Sequence, residues 1–143
     1  MSIANVLLVD DEASFVETFA ERLELRNFEI SKAFSGEEAL RILKENQTVE
    51  VVILDVKMPG MDGIETLMEI KRRYPLVEVM MLSGHADVES AIEGMKHGAC
   101  DYLMKPVDMD QIITKVTAAA TKKRQHEEKI IQARIKEITS RRV

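Results

Sequence analysis

The sequence lacks long hydrophobic segments and is almost free of cysteine. None of its apolar runs, in 143 residues, approaches the roughly 20 residues that a bilayer-spanning helix needs. The first residues show neither the basic region nor the cleavage pattern of a signal peptide, so we expect no membrane association. The single cysteine, Cys100, fits a reducing compartment and is expected to be a small packing residue. These absences favour a cytoplasmic protein.

Charge is distributed unevenly along the chain. The formal net charge is -5, but residues 122–143 contain eight Lys or Arg and three Glu, a balance of +5 that leaves -10 for the rest. The acidic body disfavours direct binding to nucleic acid, which depends on phosphate contacts. The basic tail either contacts an anionic partner or forms a solvated helix face.

Five short apolar segments alternate with five patterns typical of amphipathic helices. This alternation predicts parallel strands joined by right-handed crossovers, with helices on both faces of one sheet. The fold class is therefore an α/β doubly wound sheet, for which we expect the flavodoxin-like strand order 2-1-3-4-5. The predicted strands are residues 6–9, 28–34, 51–55, 77–82 and 100–104.

Helix ends and inward faces can also be predicted from the sequence. The predicted caps are Ser35 with Glu38, Asp62 with Glu65, Asp87, Gly98, and Asp108 with Gln111. The predicted inward faces include Ile64, Leu67 and Met68 in the third helix and Val88, Ala91, Ile92 and Met95 in the fourth.

Polar side chains follow four of the five predicted strands. Asp10 and Asp11 follow the first strand, Asp55 ends the third, Ser83 follows the fourth and Lys105 the fifth. One acid at a strand end is commonly a turn former or a helix cap. In a parallel sheet, however, these strand ends meet along one edge, so the five side chains should be neighbours.

The charges at this edge predict phosphoryl chemistry. Three neighbouring carboxylates repel each other unless they share a cation, and Mg²⁺ (or Mn²⁺) prefers oxygen ligands. Asp55 could then attack phosphorus in line, while Lys105 and Ser83 bind phosphoryl oxygens. The chain has no glycine-rich phosphate loop, and an ionised carboxylate needs no general base. The predicted product is an aspartyl phosphate.

The chain carries four ordered motifs: Asp10-Asp11, the stretch DVKMPGMDG at 55–63, SGH at 83–85 and DYLMKP at 101–106. Together they resemble the receiver domain of bacterial two-component response regulators, over about residues 3–121. The resemblance implies that Asp55 accepts a phosphoryl group from a sensor histidine kinase or phosphotransfer protein. It also implies the following roles: Mg²⁺ ligation by Asp10, Asp11, Asp55 and the backbone carbonyl of Lys57; switching by Ser83 and Tyr102; phosphate binding by Lys105; and a cis Lys105–Pro106 bond.

Phosphorylation would act as a switch through a local change of charge. It adds roughly 1.5 to 2 negative charges at one strand end. Ser83 would move toward the new oxygens and Tyr102 would fill the vacated space, which changes the face formed by the fourth helix, fifth strand and fifth helix. A downstream effector protein or domain would bind that face. On the sequence alone Tyr102 is a packing residue, and only the resemblance implies its switch role.

Lys57 and His85 lie two residues after Asp55 and Ser83, near where water would attack the acyl phosphate. We hypothesise that they set the lifetime of the phosphorylated state. The alternative is that both are merely solvent-exposed polar side chains.

The last 22 residues, 122–143, are predicted to continue the fifth helix beyond a receiver domain at 1–121. Ile131, Ile135 and Ile138 have the spacing of a coiled-coil seam, which Ile130 could widen. The extension would pair with a second copy, giving a homodimer, or with a partner helix. It could equally be a surface helix or a linker to an effector.

The predicted function is a phosphoacceptor signalling switch, not a conventional enzyme, although it catalyses its own phosphorylation and dephosphorylation. No DNA-binding or nucleotide-binding motif follows, so we expect the output to pass through protein contacts. One alternative is an aspartyl-nucleophile phosphohydrolase, but Lys57 occupies the position where those enzymes generally carry a second Asp. Another is the regulatory part of a larger transcription activator.

Overall fold

A five-stranded parallel sheet with helices on both faces forms the centre of the molecule. The computed structural model describes residues 2–84 and 88–141. The strand order is β2-β1-β3-β4-β5, and every neighbouring pair is parallel, which confirms the doubly wound prediction. The elements are β1 Asn5–Val9, α1 Ala13–Glu24, β2 Glu29–Ala33, α2 Gly36–Glu45, β3 Val51–Leu54, α3 Gly63–Arg73, β4 Glu78–Ser83, α4 Val88–Lys96, β5 Asp101–Met104 and α5 Met109–Arg141.

Two apolar cores lie on opposite faces of the sheet because successive strand residues point to opposite sides. In β3, Val51 and Ile53 pack into the core beneath α1 and α5, whereas Val52 and Leu54 pack into the core beneath α2 and α3. All four residues of β3 are therefore buried. This explains why the strand is continuously apolar and does not alternate with polar residues.

Helix caps form largely as the sequence predicts. The Ser35 hydroxyl accepts a hydrogen bond from the Glu38 amide at 3.1 Å, and the Asp62 carboxylate accepts one from the Glu65 amide at 2.9 Å. Gly98 has a φ of +101°, the left-handed conformation expected after α4. The predicted cap Asp87 lies outside the described residues.

The predicted inward face of α4 is wrong. Val88 is 76% exposed and Ile92 62% exposed, and Met95 is also exposed. Helix α4 instead turns Gly94 toward the sheet, where an added Cβ would lie 3.3 Å from the Met81 side chain. An added Cβ would make a tight contact there, so the close approach favours a residue as small as glycine, and the larger apolar residues face outward. Met68 of α3, predicted to be inward, is likewise exposed.

Helix α5 continues without a break far beyond the sheet, as predicted for the extended C-terminal helix. Its first turns pack on the core, and its middle contacts the edge where the strands begin. There Arg124 forms two hydrogen bonds to the Glu50 carboxylate, at 2.5 and 2.8 Å, and Lys122 lies 3.9 Å from Glu78. Among the described residues, no helix is long and apolar enough to cross a membrane.

Candidate functional site

Asp10 and Asp55 are placed side by side by the pairing of β1 with β3. The Asp55 amide donates to the Val9 carbonyl at 2.9 Å, and the Asp10 amide donates to the Ala33 carbonyl at 3.2 Å. Both acids come directly after their strands and are almost fully buried, with 3% of Asp10 and 7% of Asp55 exposed. The backbone of the sheet therefore fixes two carboxylates at its carboxyl edge.

Asp11 completes a cluster of three carboxylates. Asp10, Asp11 and Asp55 each offer an oxygen, and these oxygens all lie within 4.8 Å of one another. Burial first, and then the charges of Asp10 and Asp11, together raise the pKa of Asp55 to about 6 against the opposing charge of Lys105. Three hard oxygen donors at this spacing fit a divalent cation of the Mg²⁺ type.

Lys105 directly follows β5 and supplies the positive charge of the site. Its backbone amide donates to the Ser83 carbonyl at 2.8 Å, which fixes the start of the side chain beside β4. Its ammonium donates to Asp10 Oδ2 at 2.7 Å and lies 3.6 Å from Glu12. Burial would lower the pKa of Lys105, but the hydrogen bond and charge of Asp10 outweigh it and raise the pKa above its usual value. The Lys105–Pro106 bond is cis, as the resemblance implies.

Ser83 and Tyr102 lie on β4 and β5, the two strands beyond β3. Ser83 is the last residue of β4 and is fully buried. Tyr102, paired with Met81 in the ladder between β4 and β5, is half-buried and packs against the core beneath α2 and α3. The topology thus brings Ser83 to the carboxyl edge on the strand next to β3, whereas Tyr102 lies one strand further away on β5.

The loop after Asp55 is held against the site by a glycine. Gly63 begins α3, and its amide donates to the Val56 carbonyl at 2.8 Å. A Cβ at Gly63 would lie 2.1 Å from the Asp55 carbonyl oxygen, so only glycine fits. Lys57, in the same loop, is exposed. His85 lies outside the described residues.

Phe15 and Glu12 belong to the site but were not predicted from the sequence. The Lys105 ammonium lies 4.0 Å from the centroid of the Phe15 ring and 3.6 Å from a Glu12 oxygen. Glu12 directly follows the Asp10-Asp11 pair, so its proximity to the cluster could have been anticipated. Phe15 is one residue before the apolar stripe of α1, and no sequence signal connects it with Lys105.

A separate apolar groove of about 350 Å³ lies at the opposite edge of the sheet. Its lining includes Leu43, Val49 and Tyr74, with Lys123 as its one charged side chain. Its lining residues include no cluster of acids or nucleophiles, so the acidic edge is the better candidate for the functional site.

The comparisons with known proteins agree with this geometry. A family model described as the response regulator receiver domain matches residues 6–117. The chain is 40% identical over 121 residues to an NtrX-like response regulator of Rickettsia conorii, covering 83% of this chain and 25% of that protein. It is 39% identical over 108 residues to the transcriptional regulatory protein ZraR of Escherichia coli, covering 76% of this chain and 24% of that protein. It therefore spans about a quarter of these relatives.

Solved structures show the same architecture. The crystal structure of NtrX from Brucella abortus in complex with ADP superimposes with a TM-score of 0.82 at 32% identity, covering 90% of this chain and 29% of that one. Members of this family are signalling domains that work with histidine kinases and downstream effectors. The family match covers most of the chain, and the acidic edge lies within it. The chain belongs to the response regulator receiver domain family.

Proposed function

We propose that Asp55 accepts a phosphoryl group from a histidine kinase or phosphotransfer protein, in a reaction that depends on a divalent cation. The observation that carries this proposal is the cluster of the buried Asp10 and Asp55 with the exposed Asp11, beside the Lys105 ammonium. Asp10, Asp11, Asp55 and the backbone carbonyl of Lys57 would hold Mg²⁺ or Mn²⁺. When bound, the cation supplies positive charge that offsets the repulsion between the anionic donor and the carboxylates.

The chain's own residues account for the chemical step. An Asp55 oxygen uses its lone pair to form a bond to phosphorus, and the bond from phosphorus to the donor breaks, with its electron pair leaving on the donor atom. The pKa of about 6 keeps Asp55 largely ionised at pH 7. Lys105 and the Ser83 hydroxyl would each bind a phosphoryl oxygen. Water later attacks phosphorus and releases phosphate, so the domain catalyses only its own modification.

The output would pass through the face of α4, β5 and α5. Val88, Ile92, Met95 and Met104 expose apolar surface on α4 and β5, which supports a protein partner. Movement of Ser83 and Tyr102 upon phosphorylation would alter that face. The acidic body is unfavourable for direct nucleic-acid binding, and the single Cys100 fits a cytoplasmic location.

Cation dependence tests this function. Acetyl phosphate should phosphorylate the protein with Mg²⁺ present, whereas excess EDTA should abolish the reaction. Asp11→Asn, which alters the exposed member of the cluster, should weaken Mg²⁺ binding at least tenfold in calorimetry, because one of three anionic ligands is lost. Glu29→Gln, at the opposite edge of the sheet, is the matched control. Undiminished phosphorylation in EDTA would contradict the proposal.

Lys57 is proposed to set the phosphoryl lifetime, since its exposed side chain follows Asp55 by two residues. The same proposal for His85 rests on the sequence alone. Lys57→Ala and His85→Ala should each change the dephosphorylation rate more than twofold, measured by loss of the phosphorylated mass after the donor is removed. Rates within twofold of wild type would indicate that neither residue sets the phosphoryl lifetime.

The extension, residues 122–143, is proposed to mediate a homodimer. Ile131, Ile135 and Ile138 are each more than half exposed and share one side of α5. The double substitution Ile131→Glu with Ile135→Glu should convert a dimer to a monomer in sedimentation equilibrium. It leaves the contact between Arg124 and Glu50 in place. Equal masses for wild type and variant would support a surface helix or linker instead.

A second candidate, the regulatory domain of a longer transcription activator, is supported by the quarter-length coverage of ZraR, a transcriptional regulatory protein. The position of the stop codon in the gene would distinguish it from a stand-alone receiver.

A further inference from the structure

The ammonium of Lys105 rests on an aromatic ring. Its Nζ atom lies 4.0 Å from the centroid of Phe15, within the range of a cation–π interaction. Only 15% of the Lys105 side chain is exposed, so the attraction acts in a partly desolvated setting where it is strongest. One small cavity is lined by Phe15, Asp10 and Asp55, so the ring borders the site.

The ring itself is held in place by the core. Phe15 stacks on Phe19, with the centroids 5.2 Å apart and the planes inclined by 20°. Phe19 is 5% exposed and belongs to the core beneath α1 and α5. The support for the Lys105 ammonium is therefore a ring with little freedom to move.

Asp10, the ionic partner of Lys105, takes part in two interactions. Asp10 binds the ammonium at 2.7 Å and is also a member of the carboxylate cluster that fits a cation. A carboxylate shared with a cation attracts the ammonium less strongly. The ring of Phe15 carries no formal charge, so its attraction for the ammonium does not depend on what Asp10 binds.

We propose that Phe15 is the positioning residue that holds the Lys105 ammonium at the site while its N–H donors turn from Asp10 to an incoming phosphoryl group. This proposal rests on the function proposed for Asp55. It predicts that an aromatic face at position 15 sets the rate of phosphoryl transfer, because Lys105 must be in place when the donor arrives. It predicts no change in Mg²⁺ affinity, because Phe15 contributes no oxygen ligand.

Proton NMR of the metal-free protein tests the placement without any activity. The ε-methylene protons of Lys105 should be shifted upfield by the ring current of Phe15. The shift should disappear in Phe15→Leu and persist in Phe15→Tyr. Lysine ε-protons at their ordinary position in the wild type would overturn the proposal, whatever the phosphorylation result.

Kinetics then test the role. With acetyl phosphate and saturating Mg²⁺, Phe15→Leu should be phosphorylated about fivefold more slowly than wild type, and Phe15→Tyr should restore the rate. Phe28→Leu is the matched control, because Phe28 is a buried phenylalanine of the same core but lies just before β2, at the edge where the strands begin. A Phe15→Leu rate equal to that of Phe28→Leu would overturn the positioning role. If the wild type accepts no phosphate, the function proposed for Asp55 fails, whereas the NMR result still decides the placement of Lys105.

Discussion

Gly63→Ala should lower the free energy of unfolding by about 3 kcal/mol, near the upper end for an overpacked site. The added Cβ would lie 2.1 Å from the Asp55 carbonyl oxygen and 2.6 Å from the Val56 Cα. Both neighbours are backbone atoms at the end of a buried strand, so neither can move aside as a flexible side chain would. The substitution would push the start of α3 away from the loop that carries Asp55.

The measurement is urea denaturation of Gly63→Ala, with Gly84→Ala as the control. Among the residues that the structure describes, an added Cβ at Gly84 would meet only the Lys105 Cδ atom, at 3.9 Å, which is an ordinary contact. The control should therefore remain within about 0.5 kcal/mol of wild type. If both variants lost the same stability, the close approach of Gly63 to the Asp55 backbone would not be the cause.

Asp55→Asn should stabilise the metal-free protein at pH 7 by about 1 to 2 kcal/mol, a value reduced for partial solvent screening. Burial, together with the charges of Asp10 and Asp11, raises the pKa of Asp55 to about 6. An ionised Asp55 therefore lowers the stability of the folded protein at neutral pH. The amide has nearly the same shape and carries no charge, so it removes this repulsion.

The direction of the pH dependence follows from the raised pKa. Between about pH 4, the ordinary value for a free Asp, and about pH 6, the folded state binds more protons at Asp55 than the unfolded state does. The contribution of protonated Asp55 is present below this window and is lost as the pH rises through it. The advantage of Asp55→Asn should therefore be absent near pH 4, grow as the pH rises through this window, and reach its full size above about pH 6.

Thermal unfolding in EDTA at several pH values would measure this advantage, with Glu29→Gln as the control acid at the opposite edge. An advantage of Asp55→Asn that stayed the same from pH 4 to pH 7 would contradict the repulsion within the cluster.

The architecture could be predicted because the three central strands, β1, β3 and β4, are marked in the sequence by runs of apolar residues. Val51 to Leu54 are apolar at every position because the helices that join the parallel strands cover both faces of β3. Once the strand order is known, Asp10 and Asp55 must meet at one edge. The metal-type cluster therefore follows from local patterns together with topology.

The surface of α4 could not be predicted because hydrophobic periodicity records which residues are apolar, not which face touches the sheet. Val88 and Ile92 have the spacing of a buried stripe, but α4 buries Gly94 against the sheet instead. The contact between Phe15 and Lys105 was missed for a related reason. It joins residues 90 positions apart through side-chain directions that no local pattern encodes.

The most direct test of the central claim is intact mass spectrometry after incubation with acetyl phosphate and Mg²⁺. The wild type should gain one phosphoryl group, and Asp55→Asn, with the same fold and a non-nucleophilic amide, should gain none. The added group should be released on standing, as expected for an acyl phosphate. A phosphorylated species of equal yield in Asp55→Asn, or none in a wild type that binds Mg²⁺, would contradict Asp55 as the phosphoacceptor.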